Sequence, residues 1–359
     1  MLRADGMKEV IMNPDLTAEK LSEEISRFDI LVVRSTKVTE ETIRAGENLS
    51  LIIRAGAGTN TIDLKTASEL GIHVANCPGK NTAAVAELVM GLLIAADRNI
   101  ANCTADLREG VWNKKLYSKA SGLKGRTLGI IGLGAIGRAV AERARGFEMN
   151  IAAWSRSLTP RLAEELHLEY CASPLEIAEK SDAVTIHLAA SADTRHFISR
   201  DFFSSMKQGA IFINTSRGEI VDTVSLKKAI TDKSIKAALD VYEDEPSSGS
   251  TEFSDKALAS IITATHHIGA STTQASEAVA QETVRIIQEY KATGTPPNVV
   301  NLRGRAATDI NLVVRHFNQV GVLAAVLDEI RTAGINIEEM QNSIFEGEKA
   351  AVCTIKLDD

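Results

Sequence analysis

Two hydrophobic rhythms alternate along this chain. Short, consecutively apolar runs, which suit strands covered on both faces, occur at Ile30–Val33, Leu51–Ile53 and, more briefly, His73–Ala75. Between the last two, Asp63–Leu70 reads as a helix closed by Gly71, a residue that accepts the left-handed turn past a helix end. A longer helix is predicted from Thr82 to Arg98, with Val85, Leu88, Val89, Leu92 and Leu93 at helical spacing. Ala101–Ser121 is polar and is expected to wrap the surface. Thr127–Ile131 opens a second series of strands, continued by Ile151–Trp154, Ala183–His187, Ala210–Asn214 and Ala237–Val241. Gln281–Lys291 reads as another long helix. Such alternation marks a mostly parallel sheet covered by helices, a doubly wound α/β architecture.

Pro296 and Pro297 mark a boundary, and the character changes beyond it. Ile310–Val314 and Ala351–Leu357 read as strands. Between them Val320–Ile330 carries Val322, Leu323, Val326, Leu327 and Ile330 on one helical face. A small α+β module is expected after residue 305.

The first chemistry-bearing motif is Gly132-Leu133-Gly134-Ala135-Ile136-Gly137, which directly follows the strand Leu128–Ile131 and precedes a helical run. Strand, glycine loop and helix in that order form the dinucleotide fingerprint. The first glycine permits the tight turn, the second admits the pyrophosphate, and the third lets helix and strand pack closely. The helix N-terminus then faces the negative charge. A Rossmann-type nucleotide domain is therefore expected, with Gly132, Gly134, Ala135, Ile136 and Gly137 against the cofactor. An acid at the end of the next strand would bind the adenosine ribose and repel a 2′-phosphate. Ser155 stands there instead, followed by Arg156, which suits charge-assisted bonds to a 2′-phosphate. The pair leans toward NADP; NAD held through other contacts is the alternative.

Composition narrows the partners. A chain of 359 residues suggests two or three domains. Lys and Arg total 40 against 47 Asp and Glu, a net charge of −7, which disfavours nucleic acid as the main partner. Cys77, Cys103, Cys171 and Cys353 are far apart, so no zinc knuckle, metal site or disulfide framework is indicated, and a reducing, cytoplasmic compartment fits. The longest apolar stretch, near Leu88–Ala96, is too short to span a bilayer, and no signal-peptide pattern precedes the first polar segment.

Three strand ends carry further chemistry: Asn214-Thr215-Ser216-Arg217-Gly218, Asp240-Val241-Tyr242-Glu243-Asp244-Glu245-Pro246 and His266-His267-Ile268-Gly269. Ligands of open parallel sheets bind beyond the carboxyl ends of strands, so Arg217, Glu245 and His267 are expected to converge. An arginine forks onto a carboxylate, a histidine exchanges protons near neutral pH, and an adjacent acid stabilises its charged form. Together they fit hydride transfer on a small 2-hydroxy or 2-oxo acid.

The succession GLGAIG, INTSRG, ALDVYEDEP and HIG resembles that of the D-isomer-specific 2-hydroxyacid dehydrogenases, over residues 10–305. The resemblance implies a flavodoxin-like substrate domain from 1–95 and 291–305 and a nucleotide domain from 96–290, joined by the two long helices. It gives Arg217 the substrate carboxylate and carbonyl oxygen, and makes Glu245 the partner of a proton-exchanging His267. Asp240 would lie on the nicotinamide side, and His187 and Thr215 along the cofactor cleft. Arg34-Ser35 and Arg54-Ala55-Gly56-Ala57-Gly58 match substrate-side loops, so Arg34, Ser35, Gly56, Ala57, Gly58 and Asn81 would line the substrate side, with Arg34 on a distal phosphate. His266 departs from the family, which often has proline there, but leaves the role with His267. Within the family the implied branch oxidises 3-phospho-D-glycerate to 3-phosphooxypyruvate in serine biosynthesis. The alternatives are NADPH-dependent reduction of hydroxypyruvate or glyoxylate, and a regulatory protein that only binds the cofactor. A homo-oligomer, at least a dimer through the nucleotide domains, is implied.

The tail, 306–359, resembles an ACT domain through His316–Leu323 and Ala333–Ile337. The resemblance makes His316, Asn318 and Asn336 candidates for an L-serine effector site, or else makes the module a dimerisation unit without a ligand. ACT domains usually run βαββαβ, and the chain stops after the third strand. Val10–Met12 matches the second strand of the substrate domain. The first, central in the order 2-1-3-4-5, has no counterpart, and its loss would leave backbone donors unsatisfied, so either a rearranged sheet or a fragment of a longer chain is expected.

Overall fold

The computed structural model describes residues 7, 9–13, 16–246, 251–303 and 310–358. The chain divides into two compact units, Met1–Val300 and Asn301–Asp359. The module boundary expected at residues 305 and 306 lies outside the described residues.

The first unit holds two sheets. The smaller has β1 (Ile30–Val33), β2 (Leu51–Arg54) and β3 (His73–Asn76), parallel and in chain order. Leu51, Ile52 and Ile53 are wholly buried in the central strand, while Val32 of the edge strand is 42% exposed. Asp63 caps the helix Leu64–Glu69 by accepting from the Thr66 amide, and Gly71 turns the chain at φ +69°. At the outer edge of β3 the chain returns from the C-terminal side: the Val300 amide donates to Val74 O, and Ala75 bridges Val299. Val10–Met12 does not form the expected strand. Met12 is 88% exposed and Ile11 44%, so the segment buries too little apolar surface to offset the cost of ordering it.

The larger sheet has seven parallel strands: β4 (Thr127–Ile131), β5 (Asn150–Trp154), β6 (Glu169–Tyr170), β7 (Ala183–Ile186), β8 (Ile211–Asn214), β9 (Lys236–Leu239) and β10 (Thr263–Ala264). Their order is β10-β9-β8-β7-β4-β5-β6. The chain winds outward from β4 through β6, then crosses back to β7, which places a switch point between β4 and β7. Open sheets bind ligands at such a point. On one face Leu128, Ile130, Ile211 and Ile213 pack with Val89 and Leu93 of the helix Thr82–Arg98 and Val140 of the helix Ala135–Gly146. On the other, Val184, Ile186 and Phe212 pack with Phe202, Phe203 and Met206. Strands this short and this buried explain their unbroken apolar runs.

Two stretches differ from expectation. The polar segment after Arg98 contains the helices Ile100–Arg108 and Lys114–Tyr117, neither with a buried residue. The helix expected at Gln281–Lys291 runs from Thr273 to Thr293, capped by the Thr272 hydroxyl and closed by Gly294 at φ +75°. Among the described residues no helix is long and apolar enough to cross a membrane.

In the second unit, β11 (Asn311–Phe317), β12 (Ile337–Ile344) and β13 (Ala350–Leu357) form an antiparallel sheet of order β11-β13-β12. Ile330, Leu323 and Val326 of the helix Val322–Thr332 pack on Cys353, Ile355 and Leu357.

Candidate active site

The glycine loop shows why glycine is needed at two of its positions. Gly132 has φ +96°, and a side chain there would meet His187 O at 2.4 Å. A Cβ on Gly137 would lie 2.2 Å from Gly132 O. Around Gly134 the space is open, and Gly134 starts the helix Ala135–Gly146 without a side-chain cap. The amides of Ala135, Ile136 and Gly137 are therefore helix-start donors without a capping partner, in a loop wide enough for a pyrophosphate. Thr215, 8% exposed just past β8, has a buried hydroxyl without a hydrogen-bond partner. His187 follows β7; its amide donates to Ile131 O, and its Nε2 lies 3.1 Å from Thr185 Oγ1. Burial pushes its imidazole down to about 4, so it is neutral at physiological pH. Ser155 is half-buried after β5 and Arg156 beside it is exposed. The loop, the uncapped helix start and the unpaired Thr215 hydroxyl fit a dinucleotide.

Past β8, the buried Asn214 side chain folds the turn that carries Arg217. Its Oδ1 accepts from the Ser216 amide and hydroxyl, and its Nδ2 donates to Arg217 O. Gly218 allows this turn to touch the next loop, since a Cβ there would lie 1.9 Å from the Tyr242 carbonyl carbon. Asp240, wholly buried past β9, accepts from the Thr265 hydroxyl and from the Ile268 and Gly269 amides. Its carboxylate thus orders the turn in which His267 sits at φ +52°, a left-handed conformation that is unfavourable for a histidine. In that turn His267 Nδ1 meets Glu245 Oε1 at 2.5 Å. His266 is exposed.

The small sheet contributes cations. Arg34 and Ser35 are exposed immediately after β1, and Arg54 ends β2. Arg54, which opens the segment Arg54–Gly58 that the resemblance puts on the substrate side, is the most constrained of the three arginines. Its Nε is buried without a partner. Burial, then the neighbouring charges of Arg217 and Arg34, push its guanidinium down from its usual value. A Cβ on Gly56 would lie 1.4 Å from Arg54 Nη1, and one on Gly58 would lie 2.3 Å from Arg217 Nη2. Both glycines therefore make room for guanidinium groups. Ala57 O accepts from Asn76 Nδ2, which holds the loop to β3. Asn81, half-buried, precedes the helix Thr82–Arg98 without a side-chain cap bond.

The expected effector residues do not form one site within a single chain. His316 pairs with Ala351, and its Nε2 lies 3.1 Å from Asn342 Oδ1, while Asn318 Nδ2 donates to Glu348 O. Asn336 lies at the other end of the sheet, where its amide donates to Asp358. Strand rise puts the two ends roughly 20 Å apart.

Three comparisons bear on this geometry. Residues 90–269 match the model of the D-isomer specific 2-hydroxyacid dehydrogenase, NAD binding domain. A D-3-phosphoglycerate dehydrogenase of Methanocaldococcus jannaschii is 36% identical over 346 residues, which is 95% of this chain and 64% of the relative. The chain thus spans under two thirds of that relative's length. A hydroxypyruvate reductase of Thermotoga maritima is 40% identical over 279 residues, covering 77% of this chain and 89% of the relative. Among solved structures, an NAD+-bound 3-phosphoglycerate dehydrogenase of Entamoeba histolytica superposes with a TM-score of 0.70 at 27% identity, over 84% of this chain and 91% of that one.

Proposed function

The chain belongs to the D-isomer specific 2-hydroxyacid dehydrogenase family, and from that premise we propose that it oxidises 3-phospho-D-glycerate to 3-phosphooxypyruvate, reversibly. One observation carries the choice of substrate: Arg54 lies beside Arg34 and Arg217 with a buried, unpaired Nε. Three cations with an unmet donor suit a ligand carrying both a carboxylate and a phosphate. Glyoxylate, with one carboxylate, would satisfy Arg217 and leave the other two repelling each other.

Arg217 forks onto the carboxylate and carbonyl oxygen, and polarises that oxygen as charge develops on it. With Nδ1 of His267 committed to Glu245, Nε2 is the atom that takes the hydroxyl proton during oxidation and returns it during reduction. Glu245 stabilises the resulting imidazolium. Arg34 and Arg54 hold the phosphate, which fixes the reacting carbon relative to His267. A bound nicotinamide dinucleotide, held by the glycine loop and Thr215, supplies the hydride acceptor. The missing acid at Ser155 supports use of NADP as well as NAD.

The experiment is a panel of phosphooxypyruvate, hydroxypyruvate and glyoxylate, each reduced with NADH and with NADPH. The highest kcat/KM is expected with phosphooxypyruvate. A preference of tenfold or more for either unphosphorylated acid would overturn the assignment in favour of the reductase reading.

Assembly and regulation complete the proposal. Ile100, Leu107, Val111, Trp112 and Leu116 expose apolar side chains on and between the two helices after Arg98, which supports self-association through this surface. Sedimentation equilibrium should report at least a dimer; a concentration-independent monomer would contradict it. The strand order of the second unit supports the ACT-like reading. An effector contacting both His316 and Asn336 would have to bridge two copies. Serine binding by calorimetry that vanishes on His316→Ala would support this.

A further inference from the structure

A second histidine–carboxylate pair lies beside the first. His196, in the connector between β7 and the helix Arg200–Ser205, takes a left-handed conformation at φ +49°. Its Nε2 lies 2.5 Å from Glu243 Oε1. Its amide donates to Glu219 O, the Ile198 amide to Ile220 O, and the Asp222 amide to Ile198 O. The His196 segment is therefore stitched along the turn that follows Arg217. Glu243 belongs to the other loop, two positions before Glu245, and lies near Thr223. Burial raises this carboxyl, but the His196 bond and the nearby Thr223 outweigh it and leave it below its usual value.

Residues 243 and 244 form a turn within the loop, and among the described residues no backbone–backbone hydrogen bond ties 241–246 to another segment. Side chains therefore fasten this loop to its neighbours. Tyr242 ties the start of the loop through its hydroxyl to Thr265 O. Past that point, the anchors are Glu243 on His196, and Glu245 on His267 itself. We propose that His196 and Glu243 form a positioning pair: they fasten the Glu245 loop to the Arg217 turn and so hold Glu245 against His267. Neither residue touches the reacting atoms. The pair is partly exposed, with side chains 42% and 24% accessible, so it adds little to global stability. Its effect lies in the order of one loop.

The proposal rests on the dehydrogenase reading, and the test separates the two. Turnover is measured with whichever acceptor of the panel the wild type reduces best, so it survives a wrong choice of substrate. Glu243→Gln and His196→Ala should each lower kcat about fivefold to tenfold, leaving the cofactor KM unchanged. His196→Asn, which keeps an N–H donor, should recover most of the loss. In a Glu245→Gln background, Glu243→Gln should cost nothing further, since a residue acting through Glu245 has nothing left to position. An undiminished loss in that background, or wild-type kcat in His196→Ala, overturns the proposal. Hydrogen exchange of the 241–245 amides gives a readout without turnover. Faster exchange in His196→Ala supports the pair even if no acceptor is reduced, in which case the functional reading alone fails. Exchange at the wild-type rate overturns the pair.

Discussion

Replacing Arg54 by methionine separates the demands of stability from those of substrate choice. The guanidinium is half-buried at the end of β2, its Nε has no partner, and Arg217 and Arg34 press like charge on it. A buried polar atom left unpaired costs about 1–3 kcal/mol. Methionine keeps most of the apolar stem and removes the unmet donor and the repulsion. The unliganded variant should therefore gain about 1 kcal/mol, which raises Tm by about 2 °C for a chain of this size. Function should move the other way. A charge-assisted hydrogen bond to phosphate contributes about 1.5–3 kcal/mol, so KM for phosphooxypyruvate should rise about tenfold to a hundredfold. Glyoxylate, which has no phosphate, should change by less than about threefold on the same arithmetic. Steady-state reduction of both acids at saturating cofactor, with calorimetric melts of both proteins, gives the two quantities. Equal losses for both acids would assign Arg54 to the shared carboxylate contact. A lower Tm without ligand would show that the arginine is satisfied in the free protein, and the reasoning from its unpaired Nε would fail.

Four further outcomes follow from the same geometry. His267→Asn should lower kcat about 10²–10⁴-fold at unchanged cofactor affinity, because it removes the proton carrier alone; turnover within a few-fold of wild type would refute that role. Gly58→Ala puts a methyl group 2.3 Å from Arg217 Nη2, which the flexible side chain can escape; kcat/KM should therefore fall while Tm barely moves, and a large Tm loss would mean the loop itself is disrupted. Glu282, its side chain 7% exposed, is held down to about 2 from 4.5 by its bond to Arg285, against burial and helped by Asn298 and Lys80. A lowered acid stabilises the fold above its unfolded value, so a contribution of up to about 3 kcal/mol should disappear as pH falls from 4.5 toward 2; Glu282→Gln should flatten that limb of the stability–pH curve, and an unchanged limb would refute the assignment. Ser155→Asp should shift cofactor preference toward NAD by about tenfold, and Arg156→Ala should weaken NADP more than NAD; matched titrations that show no shift in either variant would place the ribose contacts elsewhere.

Legibility in the sequence followed how locally each feature is determined. The helix Thr82–Arg98 has the ends its apolar spacing implies, and β1 and β4 match their apolar runs, because each buries its own pattern against a continuous core. The helix Ile100–Arg108 was not legible for the converse reason. None of its residues is buried within the chain, so no amphipathic stripe announces it. Val10–Met12 failed as a strand because three apolar residues matched a pattern without a buried face to occupy.

The site divides along the same line. Arg217, Glu245 and His267 each sit in a short motif at a strand end, where the residues that shape the turn are neighbours in sequence: Asn214 and Gly218 around Arg217, Gly269 after His267. Reaction chemistry is therefore written locally. Arg54 is legible only as the first residue of the segment Arg54–Gly58, which the resemblance puts on the substrate side. What the sequence does not carry is its unpaired Nε and its crowding by burial, Arg217 and Arg34, since Arg217 follows a strand of the other sheet. The same holds for His196 and Glu243, whose partnership depends on two connectors meeting beside the Arg217 turn. The proposed substrate choice and positioning thus rest on side chains drawn together by the fold. For that reason the motifs identify a hydride-transfer family and place Arg34 and Arg54 on the substrate side, while the crowding of Arg54 by Arg217, on which the proposed preference for a phosphorylated acid rests, becomes visible only in the fold.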